Sequence, residues 1–179
     1  MKKILVFFIV MNMCFICSCN NSVSARIREI DMEEMYPDVP GELAILFRNL
    51  SEIVDEADVI VQVTSLGKKE ELPGGFPQTH TNVRVEECMK GNLEKGSILE
   101  VIEEGGHNGK VLGGIPQMQE GTSYFLFLYD DGGGKYYICG AFQGRFIIRE
   151  GYVFQQATEE VKLKNYTPVT VKEFKKLIR

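Results

Sequence analysis

Apolar and polar positions change period several times along this chain, and each change marks an element or a boundary. The first apolar positions form a block, since Ile4 to Ile16 is interrupted only by Asn12 and then gives way to Ser18-Cys19-Asn20-Asn21-Ser22. Residues 20 to 40 mix charges without a sustained period and close on Tyr36-Pro37-Asp38-Val39-Pro40-Gly41. From Glu42 the period becomes helical: Leu43, Leu46, Phe47, Leu50, Ile53, Val54 and Ala57 recur at spacings of three and four and share one face. Glu52, Asp55 and Glu56 fall mostly on the other face. A helix lying on a membrane would carry Lys and Arg there, so this one packs against a core.

After Asp58 the pattern alternates, as strands do. Val59, Val61 and Val63 share one face, Val83 and Val85 another, and Ile98 to Ile102 is also strand-like. Tyr124-Phe125-Leu126-Phe127-Leu128-Tyr129 is apolar on both faces, which fits a strand with a barrel interior on one side and the helix on the other. Asp130-Asp131-Gly132-Gly133-Gly134 turns the chain into a strand from Lys135 to Phe142. Glu150-Gly151 makes a tight hairpin between Phe146-Ile147-Ile148 and Tyr152-Val153-Phe154. After Pro168, Thr170-Val171-Lys172-Glu173 is a capping-box pattern that opens a short C-terminal helix with Phe174, Leu177 and Ile178 as its apolar stripe. The fold class is therefore mainly β, an antiparallel barrel with a packed N-terminal helix and a short C-terminal helix. The Gly-rich stretch from Gly105 to Gly121 is the one long loop candidate.

The leading block has the layout of an export signal, with Lys2 and Lys3 as the charged region and the apolar run behind them. That run is shorter than the roughly 20 apolar residues a bilayer-spanning helix needs. Its end, Ile16-Cys17-Ser18-Cys19, resembles a bacterial lipobox: a branched apolar residue, two small residues, then the thiol to be acylated. Cys14 and Cys17 lack small residues before them, so residues 1–18 are expected to be a lipoprotein signal peptide and Cys19 the lipidated first residue. Each buried methylene contributes about 0.8 kcal/mol, so acyl chains such as palmitate hold the protein on the membrane. Residues 19–41 follow as a tether, about twenty flexible residues letting the domain of residues 42–179 stand off by roughly 25 Å on average. The expected location is the cell membrane or envelope, lipid-anchored on the extracytoplasmic side.

Composition narrows the partners. The chain carries 20 basic and 25 acidic residues, net −5; removing Lys2 and Lys3 leaves 18 against 25, or −7. This is not the balance of a nucleic-acid binder. An acidic body does not favour anionic lipid headgroups either, so acylation rather than surface charge must anchor it. The expected partners are the membrane, through the anchor, and an envelope protein or glycan. Besides Cys19, the mature chain keeps Cys88 and Cys139. Strict alternation from Val83 and Val85 would turn Glu87 inward, so a bulge should restore Cys88 to the core, and both thiols are expected to be buried and unpaired.

Three segments carry a family resemblance: Glu56-Ala57-Asp58-Val59-Ile60-Val61, then Val83-Arg84-Val85-Glu86-Glu87-Cys88-Met89-Lys90-Gly91, then Glu120-Gly121-Thr122-Ser123-Tyr124-Phe125-Leu126-Phe127-Leu128. They resemble a family of uncharacterised bacterial exported proteins whose members carry an OB-like barrel similar to tissue inhibitors of metalloproteinases and netrin modules. The likeness spans about residues 50 to 155 and implies an OB-like fold more than a function. Gln62 and Cys88 stand where apolar or branched residues would be usual, so Gln62 should face solvent or find a partner. The inhibitors chelate an enzyme's zinc through a free N-terminal cysteine. Lipidation of Cys19 would deny that role here.

No motif supplies catalysis or a cofactor site. Gly109-Lys110 has Glu104 and Val111 where a phosphate loop needs Gly and Ser or Thr. Gly121-Thr122-Ser123-Tyr124-Phe125 lacks the second glycine of a nucleophile elbow, which leaves Ser123 a turn residue. Glu103, Glu104 and His107 match no zinc motif and fit a solvated loop. Glu86-Glu87 and Glu103-Glu104 fit acids at strand edges, which discourage aggregation. The function expected is a membrane-anchored binding or interaction module, using loops such as Pro73-Gly74-Gly75-Phe76-Pro77 and Gly105 to Gly121. The alternative is a protease inhibitor or hydrolase whose site is assembled from scattered residues, recognisable by a deep pocket with converging polar groups.

Overall fold

The computed structural model describes residues 46–72, 78–105, 114–157 and 161–179. The expected signal peptide of residues 1–18, Cys19, the expected tether of residues 19–41, the expected helix start at 42–45, the 73–77 loop and His107 lie outside the described residues. Among the described residues the order is α1 (Leu50–Glu56), β1 (Val59–Leu72), β2 (Gln78–Lys90), β3 (Ile98–Glu104), β4 (Ser123–Asp130), β5 (Lys135–Ile138), β6 (Arg145–Arg149), β7 (Tyr152–Gln155), β8 (Val169–Thr170) and α2 (Val171–Leu177). No helix in them is long and apolar enough to cross a membrane.

Five strands close on themselves. β1 pairs with β2, β2 with β3, β3 with β5, β5 with β4, and β4 returns to β1, so the sheet is a closed barrel. All of these pairs are antiparallel except β3 with β5. Strands β6, β7 and β8 extend the sheet from β4 by successive antiparallel pairings. Register shows which residues face inward: Val63 lies opposite both Val85 and Tyr124, and Val83 lies opposite Leu99. All five are buried.

The opposite face of β4 explains its doubly apolar sequence. Phe125 and Phe127 pack on the outside of the barrel in a second core with Ile53 of α1, Phe146 of β6, and Phe174 and Ile178 from the C-terminal end. Tyr124 to Leu128 are buried without exception, as a strand between two cores must be. The helical stripe is real but shorter than expected. Asn49 caps α1, its side chain accepting from the Glu52 amide, while residues 46–48 are not helical. An Asn that satisfies the first free amides makes Leu50 the first helical residue and overrides the upstream periodicity. The Thr170–Glu173 capping box at the start of α2 is present in full.

Two turns depend on backbone that only certain residues adopt. Glu150 and Gly151 both have positive φ, 48° and 81°, the geometry of the hairpin that lets Arg149 pair with Tyr152. At Gly144 a Cβ would come within 2.9 Å of the carbonyls of both Cys139 and Phe127, so the turn leading into β6 closes only on glycine. That turn also shortens β5, which ends at Ile138 rather than running to Phe142. Ala141 takes a φ of 58°, and the alternation expected through Cys139 and Ala141 stops there.

Cys88 and Cys139 are both free. A register shift at Glu86 puts Cys88 opposite inward-facing Val61, the bulge expected, although Cys88 at the strand's end is half-buried rather than buried. Cys139 is fully buried in the outer core beside Phe127. Burial, helped by nearby Asp58, pushes its thiol up to about 12. Alkylation of the native protein near pH 8 should therefore modify Cys88 and spare Cys139, with both modified after denaturation. Rapid native labelling of both, or of neither after denaturation, would contradict this arrangement.

Candidate functional site

The polar group that converges most strongly sits inside the barrel. Glu103, on β3, lies opposite Thr79 of β2, and Arg145, on β6, lies opposite Leu126 of β4, so the register aims both side chains inward. The Arg145 Nη1 donates to Glu103 Oε1. Their side chains are 0% and 2% exposed. Arg145 Nη2 also donates to the Pro116 carbonyl at 2.7 Å, which draws the segment between β3 and β4 across this end of the barrel. Gln117 donates to Thr79 Oγ1 at 3.1 Å, and the Tyr124 hydroxyl accepts from the Gln119 amide at 2.9 Å. Burial pushes the Glu103 carboxyl up, against the pull of Arg145 and of a bond from the Met118 backbone.

Chemically this is a fastening more than a reactive centre. A general acid or base must reach substrate, and this carboxyl is covered by the segment it helps to hold. Glu103 Oε2 and Arg145 Nε find no partner among the described residues, so the pair leaves part of its desolvation uncompensated. The expectation of acids at an exposed strand edge is thus corrected at Glu103: it occupies an inward position of β3, and Glu104, the next residue, is the exposed one. Glu87 faces outward as expected, within reach of Lys175 at 2.6 Å and Arg179 at 3.6 Å.

His80 lies on the other face of β2, 4% exposed, with Nδ1 2.6 Å from Glu100 Oε1. A carboxylate that orients an imidazole is half of a catalytic arrangement, but among the described residues no hydroxyl or thiol meets Nε2, which is buried without a hydrogen-bond partner. Among the described residues no three His, Cys, Asp or Glu side chains gather as a metal site. Ser123 opens β4 at a half-buried position.

A second set of polar residues went unnoticed in the sequence, namely Gln143 and Gln155, both fully buried. Gln143 Oε1 accepts from the Phe47 amide at 2.9 Å, while its Nε2 donates to the carbonyls of Phe47 and Val161 at 3.0 and 2.6 Å. Gln155 donates to the Gln143 carbonyl and accepts from the Leu163 amide. These amides substitute for missing strand partners and join two irregular segments to the barrel. Between those segments lies a shallow cleft of about 290 Å³, lined by Leu46, Phe47, Arg48, Gln143, Val161, Lys162 and Lys164. Three of its residues are basic.

Comparison with protein-family models, curated proteins and solved structures gave no match.

Proposed function

We propose that the chain is a lipid-anchored envelope protein, acylated at Cys19, whose barrel serves as a binding or interaction module. The observation that carries this reading is that the described barrel is filled by its own side chains. Its inward polar pair is covered, so recognition falls to the outer surface and the loops at the barrel ends. The strand order β1-β2-β3-β5-β4-β1, with β3 and β5 as the parallel pair, supports an OB-like barrel similar to netrin modules and metalloproteinase inhibitors. Proteins of that architecture commonly bind through loops and one barrel face, which fits an interaction role at a membrane surface.

Two measurements test the reading. Cys19→Ser should release the protein from the membrane or leave an uncleaved precursor; a variant processed to the same size that stays in the membrane would remove the anchor from the proposal. The mature protein, used as bait in detergent-solubilised envelope, should retain a discrete protein or glycan that excess untagged protein displaces. Retention of nothing displaceable would overturn the interaction role.

A further inference from the structure

Residues 114–121 form a strap across one end of the barrel, and four consecutive residues of it each meet a side chain from a different strand. The Pro116 carbonyl accepts from Arg145 of β6 at 2.7 Å, and the Gln117 side chain donates to Thr79 of β2 at 3.1 Å. The Met118 backbone donates to Glu103 of β3, and the Gln119 amide donates to the Tyr124 hydroxyl of β4 at 2.9 Å. Ile115 and Met118 are buried, Ile115 beside Phe142 and Ala157. Gly114 and Gly121, at the ends of the strap, take φ of 72° and 76°, so both ends turn on the residue with the widest backbone freedom.

The Arg145 guanidinium under this strap is incompletely used. Nη1 donates to Glu103 and Nη2 to the Pro116 carbonyl, while Nε is buried with no partner among the described residues. Nε and Nη2 lie on one edge of the guanidinium and present two parallel donors, the spacing that a carboxylate fills with both of its oxygens. The Pro116 carbonyl brings one oxygen to that edge and leaves a charged donor buried and unmet, which is unfavourable. Two more buried polar atoms of the same interior lack partners among the described residues. They are Glu103 Oε2 and Thr81 Oγ1, the latter at an inward position of β2 two residues from Thr79.

We propose that the Nε–Nη2 edge of Arg145 is a binding site for the carboxylate of a small acid, that the Pro116 carbonyl occupies it in place of a ligand oxygen, and that the acid enters by displacing the strap. The carboxylate sets one oxygen on each donor, where the carbonyl satisfies only Nη2. The strand pairings of the barrel do not run through residues 114–121, so the strap opens as a local unit and leaves the barrel closed. Glu103, on the other side of the guanidinium, would repel an incoming acid when ionised. Burial favours its neutral form, which removes that repulsion. The site goes beyond recognition at the outer surface and depends neither on that role nor on lipidation of Cys19.

Amide hydrogen exchange of the mature full-length protein, solubilised in detergent and followed by NMR in increasing acetate, tests the site. Acetamide and sodium chloride at matched concentrations are the controls, acetamide having the shape of acetate without its charge. Acetate should speed exchange of the Met118 and Gln119 amides on the order of tenfold, because it binds only with the strap open, and should leave the amides of β4 unchanged. The Arg145 Nε–H resonance should move with the same midpoint. Gln117→Ala removes the tie to Thr79 without touching Arg145, so it should lower that midpoint several-fold. Should that variant not fold, the parent protein decides the outcome by itself. An Nε resonance that ignores acetate overturns the site. Strap amides that respond equally to acetamide or to chloride overturn it as well, and so does acetate-driven exchange throughout the barrel, which would be general destabilisation.

Discussion

Arg145→Ala should destabilise the barrel by about 3–5 kcal/mol, because it strands the Glu103 carboxylate in the interior. Domains of this size are stable by only about 5–15 kcal/mol, so urea denaturation should show a large fall in midpoint or no folded baseline. The loss includes the bond to the Pro116 carbonyl, so the segment between β3 and β4 should also become accessible to protease. Burial raises the Glu103 pKa, and Arg145 is the chief opposing influence. A carboxyl whose folded pKa lies above its unfolded value contributes stability below the unfolded value, about 4.3, and loses it as pH rises through the folded pKa. Removing Arg145 leaves burial less opposed, so the deficit of the variant should be smallest near pH 4 and grow towards neutrality. Glu103→Leu in the Arg145→Met background should recover much of the lost stability, since apolar residues of similar size often replace a buried pair without cost. An Arg145→Ala protein as stable as the parent at pH 7 would mean that the pair is open to water.

Phe174→Ala should cost about 3–5 kcal/mol, the range for emptying a buried aromatic site. The ring is fully buried and meets four others: Phe125 at 4.8 Å, Phe146 at 5.1 Å, Tyr166 at 6.0 Å and Phe127 at 6.3 Å. Edge-to-face and tilted arrangements like these add to the burial itself. It is the central fastening of α2, a seven-residue helix too short to persist without tertiary contacts. Loss of the ring should detach α2 and lower the melting temperature by on the order of ten degrees. Leu177→Ala, at a position 57% exposed on the same helix, should change stability by less than about 0.5 kcal/mol. Equal effects at the two positions would show that α2 does not pack through Phe174.

Local rules were sufficient wherever neighbours in sequence settle the geometry. Thr170 and Glu173 satisfy each other's backbone amides, so the start of α2 was legible from four residues. Glu150-Gly151 was legible because few residue pairs tolerate two positive φ angles in succession. Tyr124 to Leu128 announced a strand with no wet face, and it lies between two cores. Period alone overran at α1, where Leu46 and Phe47 match the stripe although Asn49 caps the helix after them. It overran again at β5, where Gly144 must approach two carbonyls and the chain turns at Cys139.

The candidate sites were not legible in this way. Arg145 begins an apolar strand and Glu103 is the last residue but one of another, and each alone reads as a polar residue at a strand edge. Only closure of the barrel, which brings β3 and β6 around to one interior, makes them partners across 42 residues. Gln143 and Gln155 are likewise ordinary amides until the segments near Phe47 and Val161 arrive with unpaired backbone groups. Sequence by itself determined the strand and helix types, the capping box of α2 and the hairpin, because those depend on contacts within a few residues. Tertiary structure decided which polar groups are buried and which of them become partners, because each depends on residues brought together from distant parts of the chain.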